Sequence, residues 1–183
     1  MMRRAHEAGI TTLAVTVDVP VHPKRERNLR NGFTHPLRIT WSSRLDALCH
    51  PRWLAAYLKN GLPKLVNWAP YADTGATAEQ ITDFIIEQIP APMTWKEIEA
   101  LRRVWPGSLV LKGIMHPDDA IRAAEAGVDG LMVSNHGARQ LDRAPSPLEV
   151  LPAIKAAVGA RMTVMLDSGI RRGSDVLIAL CLG

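Results

Sequence analysis

The 183-residue chain is 47% hydrophobic and 22% charged, with a formal net charge of +4, enough apolar material to bury a core. No block of clustered Lys/Arg with interleaved aromatics marks a nucleic-acid surface, and no run of about 18 apolar residues would form a membrane-crossing helix. Cys49 and Cys181 are far apart and form no CxxC, which argues against a disulfide framework or a metal site; both are expected to be small buried hydrophobes in a reducing compartment.

In chain order, MMRRAHEAG reads as the end of a helix closed by Gly9,. It leads straight into a strand rather than a signal peptide, so a cytoplasmic location is expected. The apolar run Leu13–Val17 stops at Asp18 and Pro20, and the same unit recurs three times. Leu109–Leu111 runs into Lys112-Gly113, followed by a helix over Pro117–Ala126. Gly130–Val133 runs into Ser134-Asn135-His136, followed by a helix over Pro147–Val158. Met162–Leu166 runs into Asp167-Ser168-Gly169, followed by a helix over Ser174–Leu182. Continuous apolar strands alternating with amphipathic helices indicate βα units and a parallel sheet. No G-x-G-x-x-G occurs, so a dinucleotide-binding fold has little support. The expected class is α/β, a partial (β/α)8 barrel: a closed barrel takes eight strands and roughly 250 residues, and about four βα units are present here.

The stretch from about residue 38 to residue 91 breaks the rhythm. It holds Trp41, Trp53 and Trp68 with Tyr57 and Tyr71, and among them sit Arg38, Arg44, Arg52, Lys59 and Lys64. Between Trp41 and Tyr71 the only acid is Asp46. Two readings stay open on the residues alone: an interfacial, peripheral membrane segment, or a long insertion that packs its aromatics on the domain itself.

Candidate chemistry gathers at strand ends, where α/β folds place their sites. In VSNHGARQLD (Val133–Asp142), His136 directly follows a buried strand and Arg139 lies three residues on. A base beside a guanidinium fork suits a small carboxylate substrate; the plainer alternative is a capped loop with a structural histidine. Asp18 could orient His136 through its second ring nitrogen, or simply cap its strand. Lys112 puts a cation on an apolar strand, where it needs an anion or a buried ion pair. Asp167, Ser168, Gly169 and Arg171 form a small-residue turn before a helix, either a phosphate cradle or a common polar βα turn.

Together these ends resemble the FMN-dependent α-hydroxy-acid oxidases and dehydrogenases, a family that includes glycolate oxidase, flavin-type L-lactate dehydrogenase and (S)-mandelate dehydrogenase. The matching pieces are TVDVP (Thr16–Pro20), KRERNLRNGF (Lys24–Phe33), TWKEIEALR (Thr94–Arg102), LVLKGI (Leu109–Ile114), VSNHGARQLD and LDSGIRRGSDV (Leu166–Val176), in family order. The resemblance implies oxidation of an L-2-hydroxy acid of the lactate or mandelate type to the 2-oxo acid. It makes His136 the base, Asp18 its partner, Arg139 the carboxylate ligand and Arg25 a second cation. Lys112 would lie at the flavin's pyrimidine edge, Thr16 and Ser134 would bond the isoalloxazine, Asp167 the ribityl chain, and Ser168, Gly169 and Arg171 the phosphate.

The resemblance further implies a quinone or respiratory-chain acceptor, a homo-oligomer when full length, and a 41–71 segment that docks on the inner face of the cytoplasmic membrane. It also implies barrel parts upstream and downstream of this sequence, so the chain is expected to be a fragment that binds FMN poorly alone. The competing functional readings are a non-catalytic remnant and a flavin-dependent isomerase on a related barrel, which would not need Asp18, His136 and Arg139 together.

Overall fold

In the computed structural model the described residues are 1–19, 25–32, 40–63, 65–88 and 93–183. The chain divides into two compact units, Met1–Pro23 with Pro90–Gly183, and Lys24–Ile89.

The first unit is a four-stranded sheet, β1 (Thr12–Thr16), β2 (Ser108–Lys112), β3 (Gly130–Val133) and β4 (Thr163–Leu166). The strands lie side by side in sequence order and every pairing is parallel. The central strands are apolar where the helices cover them: Leu109, Leu111, Leu131 and Val133, which share one face of the sheet, are fully buried,. Helices α6 (Trp95–Val104), α7 (Pro117–Glu125) and α8 (Pro147–Val158) supply Ile98, Ala120, Ala123, Leu151 and Ile154 to the same core. The starts of these helices follow from local chemistry. Thr94 and Glu97 form a reciprocal cap, the Thr94 N–H and hydroxyl both donating to the Glu97 carboxylate at 2.6 and 2.9 Å,. Pro117 and Pro147 occupy first-turn positions, where a missing N–H costs nothing,.

Register fixes what meets at the sheet's carboxyl end. Thr16 lies opposite Lys112, Lys112 opposite Met132, and Val133 opposite Leu166. The residues just beyond each strand are therefore brought to one edge of the sheet.

The unit Lys24–Ile89 is helical among its described residues: α2 (Glu26–Arg30), α3 (Trp41–Leu48), α4 (Pro51–Asn60) and α5 (Ala78–Gln88). Thr40 caps α3, its hydroxyl accepting the Ser43 N–H at 3.2 Å,. Sequence reading assigned no helix here, although Pro51 opens α4, Gly61 follows it, and Ile81 and Ile85 lie buried one turn apart on α5,. Trp41 is 78% exposed, Trp53 57% and Leu58 75%. Trp53 stacks on Tyr57, and Arg44 lies 4.7 Å over the Trp41 ring. Among the described residues, no helix is long and apolar enough to cross a membrane. Arg38 and Lys64 lie outside the described residues.

One expectation is corrected. Cys49 and Cys181 are exposed, not buried. Cys49 ends α3 in the short link to α4, and Cys181 lies on α9 (Gly173–Leu182), where Leu177, Ile178 and Leu180 are also exposed. Apolar character alone does not bury a side chain whose element presents no covered face.

Candidate active site

His136 and Asp18 meet across the sheet. The ring Nε2 lies 2.7 Å from the Asp18 carboxylate, with both side chains about four-fifths buried. A carboxylate only accepts, so Nε2 carries the shared hydrogen and the lone pair of the neutral ring sits on Nδ1. Asp18 can come this close because position 113 has no side chain. A Cβ on Gly113 would lie 2.2 Å from the Asp18 carboxyl carbon, and its φ of +101° is one that glycine alone tolerates readily,. The Lys112-Gly113 pair thus makes room for the Asp18–His136 contact, a role that sequence reading did not give to Gly113.

The loop bearing His136 is an unusual piece of backbone. His136, Gly137 and Ala138 have φ values of 55°, 63° and 59°, all left-handed, at a cost of roughly 1–2 kcal/mol for each non-glycine residue. Neighbouring groups hold it there. Asn135 Oδ1 accepts the Gly137 and Ala138 N–H groups at 3.0 and 3.3 Å, and its amide donates to the Pro145 carbonyl at 3.1 Å. Asn135 escaped sequence reading, although an Asn before His-Gly is a recognisable turn signal.

Lys112, at the end of β2, donates to the fully buried Ser134 hydroxyl at 2.6 Å and to the Asp167 carboxylate at 2.5 Å. The ion pair that was the plainer reading of Lys112 is thus present, and its partner is itself a strand-end residue. Burial pushes the Asp167 carboxyl upward. Hydrogen bonds from Lys112, Ser134 and Ser168, with the ammonium's charge, outweigh this and hold it below the ordinary carboxylate range,.

Four of the sequence-selected residues, Asp18, His136, Lys112 and Asp167, are therefore brought together in two contacting pairs, with Ser134 bonded both to Lys112 and to the His136 N–H. Thr16 ends β1 opposite Lys112. Arg139 is exposed and has no ion-pair partner among the described residues. Arg25 heads α2 in the other unit. In the turn after β4, Ser168 and Gly169 have φ of 77° and 83°. The Arg171 and Arg172 N–H groups both donate to Asp175 at 2.9 Å, so of Arg171 only the exposed guanidinium is available to an anion. Asp175 was also missed, though an acid three residues into a helix start is a known capping signal. Among the described residues, no cluster of His, Cys, Asp and Glu could hold a metal ion.

An ammonium with one proton still uncommitted, an imidazole–carboxylate pair and an open glycine turn, all at the carboxyl end of a parallel sheet, define the class: part of an α/β-barrel enzyme with a polar, anion-tolerant site. The chain belongs to the FMN-dependent dehydrogenase family, which matches residues 1–183. It is 40% identical to the (S)-mandelate dehydrogenase of Pseudomonas putida over all of its length and 46% of that protein's. It is 39% identical to an L-lactate dehydrogenase of Yersinia pestis (strain Pestoides F), again over its whole length and 48% of the relative's. Among solved structures, that of the monotopic membrane protein (S)-mandelate dehydrogenase superposes over the whole chain with a TM-score of 0.91 at 40% identity, 48% of that chain being covered. A mandelate oxidase variant with (S)-mandelic acid gives a TM-score of 0.69 at 37% identity, with 42% covered. The chain spans just under half the length of the relatives it matches, and its four βα units are part of a (β/α)8 barrel.

The family's cofactor is FMN, and the residues present fit it. Lys112 has three ammonium protons, of which Ser134 and Asp167 take two,, leaving one for a flavin carbonyl or ring nitrogen. At Gly169 a Cβ would meet nothing within 4 Å, so that turn is open to a phosphate.

Proposed function

We propose that this chain carries the base and the cofactor-side cation of a site that oxidises an L-2-hydroxy acid of the lactate or mandelate type to the 2-oxo acid. The observation that carries this reading is the 2.7 Å contact of His136 Nε2 with Asp18, beside Lys112. The reaction breaks the substrate's C–H and O–H bonds and forms its C=O bond, so two electrons and two protons leave. FMN, when bound, supplies the sink for the two electrons and for the proton that His136 does not take.

His136 accepts one proton on Nδ1, the nitrogen left without a partner once Nε2 faces Asp18. Asp18 holds the ring in that tautomer and stabilises the imidazolium that forms. Arg139 binds the substrate carboxylate, and Arg25 adds a second cation. Lys112 keeps positive charge where negative charge develops. Thr16 and Ser134 bond the isoalloxazine, Asp167 bonds the ribityl chain, and the backbone N–H groups of Ser168 and Gly169 with the Arg171 guanidinium receive the phosphate. An isomerase on a related barrel would have no use for the Asp18–His136 pair beside a carboxylate-binding arginine.

The test is to titrate FMN into the 183-residue chain and add L-lactate or L-mandelate without oxygen while following flavin absorbance. Binding should be weak, and the flavin held at saturating FMN should bleach, about 100- to 10,000-fold more slowly in His136→Ala. Flavin that binds and never bleaches with either acid would overturn the reading. No binding at all would favour a non-catalytic remnant.

The unit Lys24–Ile89 is proposed to dock on an anionic bilayer, from which electrons pass to a quinone or another respiratory-chain acceptor. Exposed Trp41, Trp53, Leu45, Leu48 and Leu58 alternate on α3 and α4 with Arg44, Arg52 and Lys59, the make-up of an interfacial segment. The similar (S)-mandelate dehydrogenase is described as a monotopic membrane protein. The chain should co-sediment with anionic liposomes, and binding that survives removal of residues 41–71 would refute this surface.

A further inference from the structure

We infer that Ser168 is a positioning residue for His136, its hydroxyl tying the loop that carries the base to the end of β4 that carries Asp167. The inference deepens the proposed function and rests on His136 being the base. Two facts carry it. The Ser168 hydroxyl accepts the Gly137 N–H at 3.0 Å and donates its own hydrogen to Asp167 Oδ1 at 2.9 Å. Both of its bonds are thereby spent inside the protein, on groups 31 residues and one residue away.

The surrounding bonds close a ring. Lys112 donates to Ser134 and Asp167; Ser134 accepts the His136 N–H at 3.2 Å; Ser168 joins Asp167 to Gly137. Two hydroxyls therefore accept the successive N–H groups of His136 and Gly137, the first two residues of the left-handed loop. Asn135 also accepts the Gly137 N–H, but Asn135 belongs to the loop and can only shape it. Ser168 reaches it from another strand and can locate it. Position 168 is itself left-handed, with φ of 77°, so a residue with a side chain stands there at a cost that a glycine would avoid. The hydroxyl offsets that cost.

The experiment compares the isotope-labelled full chain with Ser168→Gly and Ser168→Ala, with no flavin added. Both variants lack the hydroxyl, but only alanine is strained at this φ. The readouts are the exchange rate of the Gly137 amide and the imidazole nitrogen signals of His136. Exchange should quicken about three- to ten-fold in both variants, the equivalent of one lost hydrogen bond shared with Asn135. The His136 signals should move in the same direction in both. An effect confined to Ser168→Ala would assign the result to backbone strain and overturn the inference, as would unchanged signals in Ser168→Gly. FMN affinity is measured afterwards on the same samples. A fall in affinity with Gly137 and His136 unchanged would mean that the hydroxyl serves the cofactor and not the loop. Because the first readouts need no flavin, failure of the proposed activity and failure of this inference remain separate results.

Discussion

Each end of the sheet holds a cation against an aspartate, and the two pairs are built differently. At the amino end, Arg102 pairs with Asp129 at 2.7 Å and also donates to the carbonyls of Trp105 and Gly107. Asp129 takes the Leu109 N–H at 2.7 Å. These bonds stitch the end of α6 to the starts of β2 and β3, with Trp105 buried beneath and its indole donating to the Ser108 carbonyl. The planar guanidinium is spread over carboxylate and backbone, as a structural lock requires. At the carboxyl end, Lys112 meets only side chains, Ser134 and Asp167, and keeps a proton to spare. The difference teaches how to tell the two kinds of ion pair apart in a barrel. One is consumed by the backbone it holds, and the other is satisfied enough to stay in place yet still has something to offer a ligand.

The largest effect should come from breaking the lock. Arg102→Ala removes the pair with Asp129 and leaves two partly buried carbonyls without their donor. Urea denaturation should show the chain losing about 2–3 kcal/mol of stability. A loss below roughly 0.5 kcal/mol, the level of an ordinary surface change, would mean that the lock is ornamental.

A smaller effect sharpens the other half of the contrast. Asp167 is held below the ordinary carboxylate range when folded, so it binds protons more weakly in the folded than in the unfolded chain. Its contribution to stability is full above about pH 4, the usual aspartate value, and fades as the pH falls from there through its lowered folded value,. Glu97 and Asp175 are lowered too, each by bonds from nearby N–H groups, so the wild-type acid transition is a sum. Lys112→Met should flatten only the Asp167 share. An acid transition equally steep in that variant would show that the lysine does not hold the carboxylate.

The two units also differ in how far their sequences could be read. In the sheet unit, the runs ending at Asp18, Lys112, Ser134 and Asp167 were visible because strands of a helix-flanked parallel sheet are near-continuously apolar, though only β2 and β3 are buried here. The helices over residues 117–125 and 147–158 were visible because proline and the apolar spacing marked their starts and faces. In the unit Lys24–Ile89, α3 and α4 carry Trp, Leu and Arg on outward faces, and that mixture drew attention away from the helix signals present, the Thr40 cap of α3 and Pro51 and Gly61 around α4. The site was legible as a set of residues and as one pairing, Asp18 with His136; the Lys112–Asp167 and Ser168 contacts were not. Gly113 was overlooked because it acts by the room it leaves, which shows only when the neighbouring strand is in place; Asn135 and Asp175 act on N–H groups within four residues, and their local turn and capping signals went unread.

The sequence by itself determined the alternation of strand and helix, the parallel sense of the sheet and the gathering of polar residues at strand ends, because hydrophobic periodicity and turn chemistry are local. Only the tertiary structure decided that Lys112 chooses Asp167 and that the hydroxyl of Ser168 belongs to the loop of the base, and only it put the expected partners His136 and Asp18, 118 residues apart, at 2.7 Å. Those contacts depend on the register of four strands and on a missing Cβ at Gly113, and a hydrogen bond exists or not within a few tenths of an ångström that no stretch of sequence encodes alone.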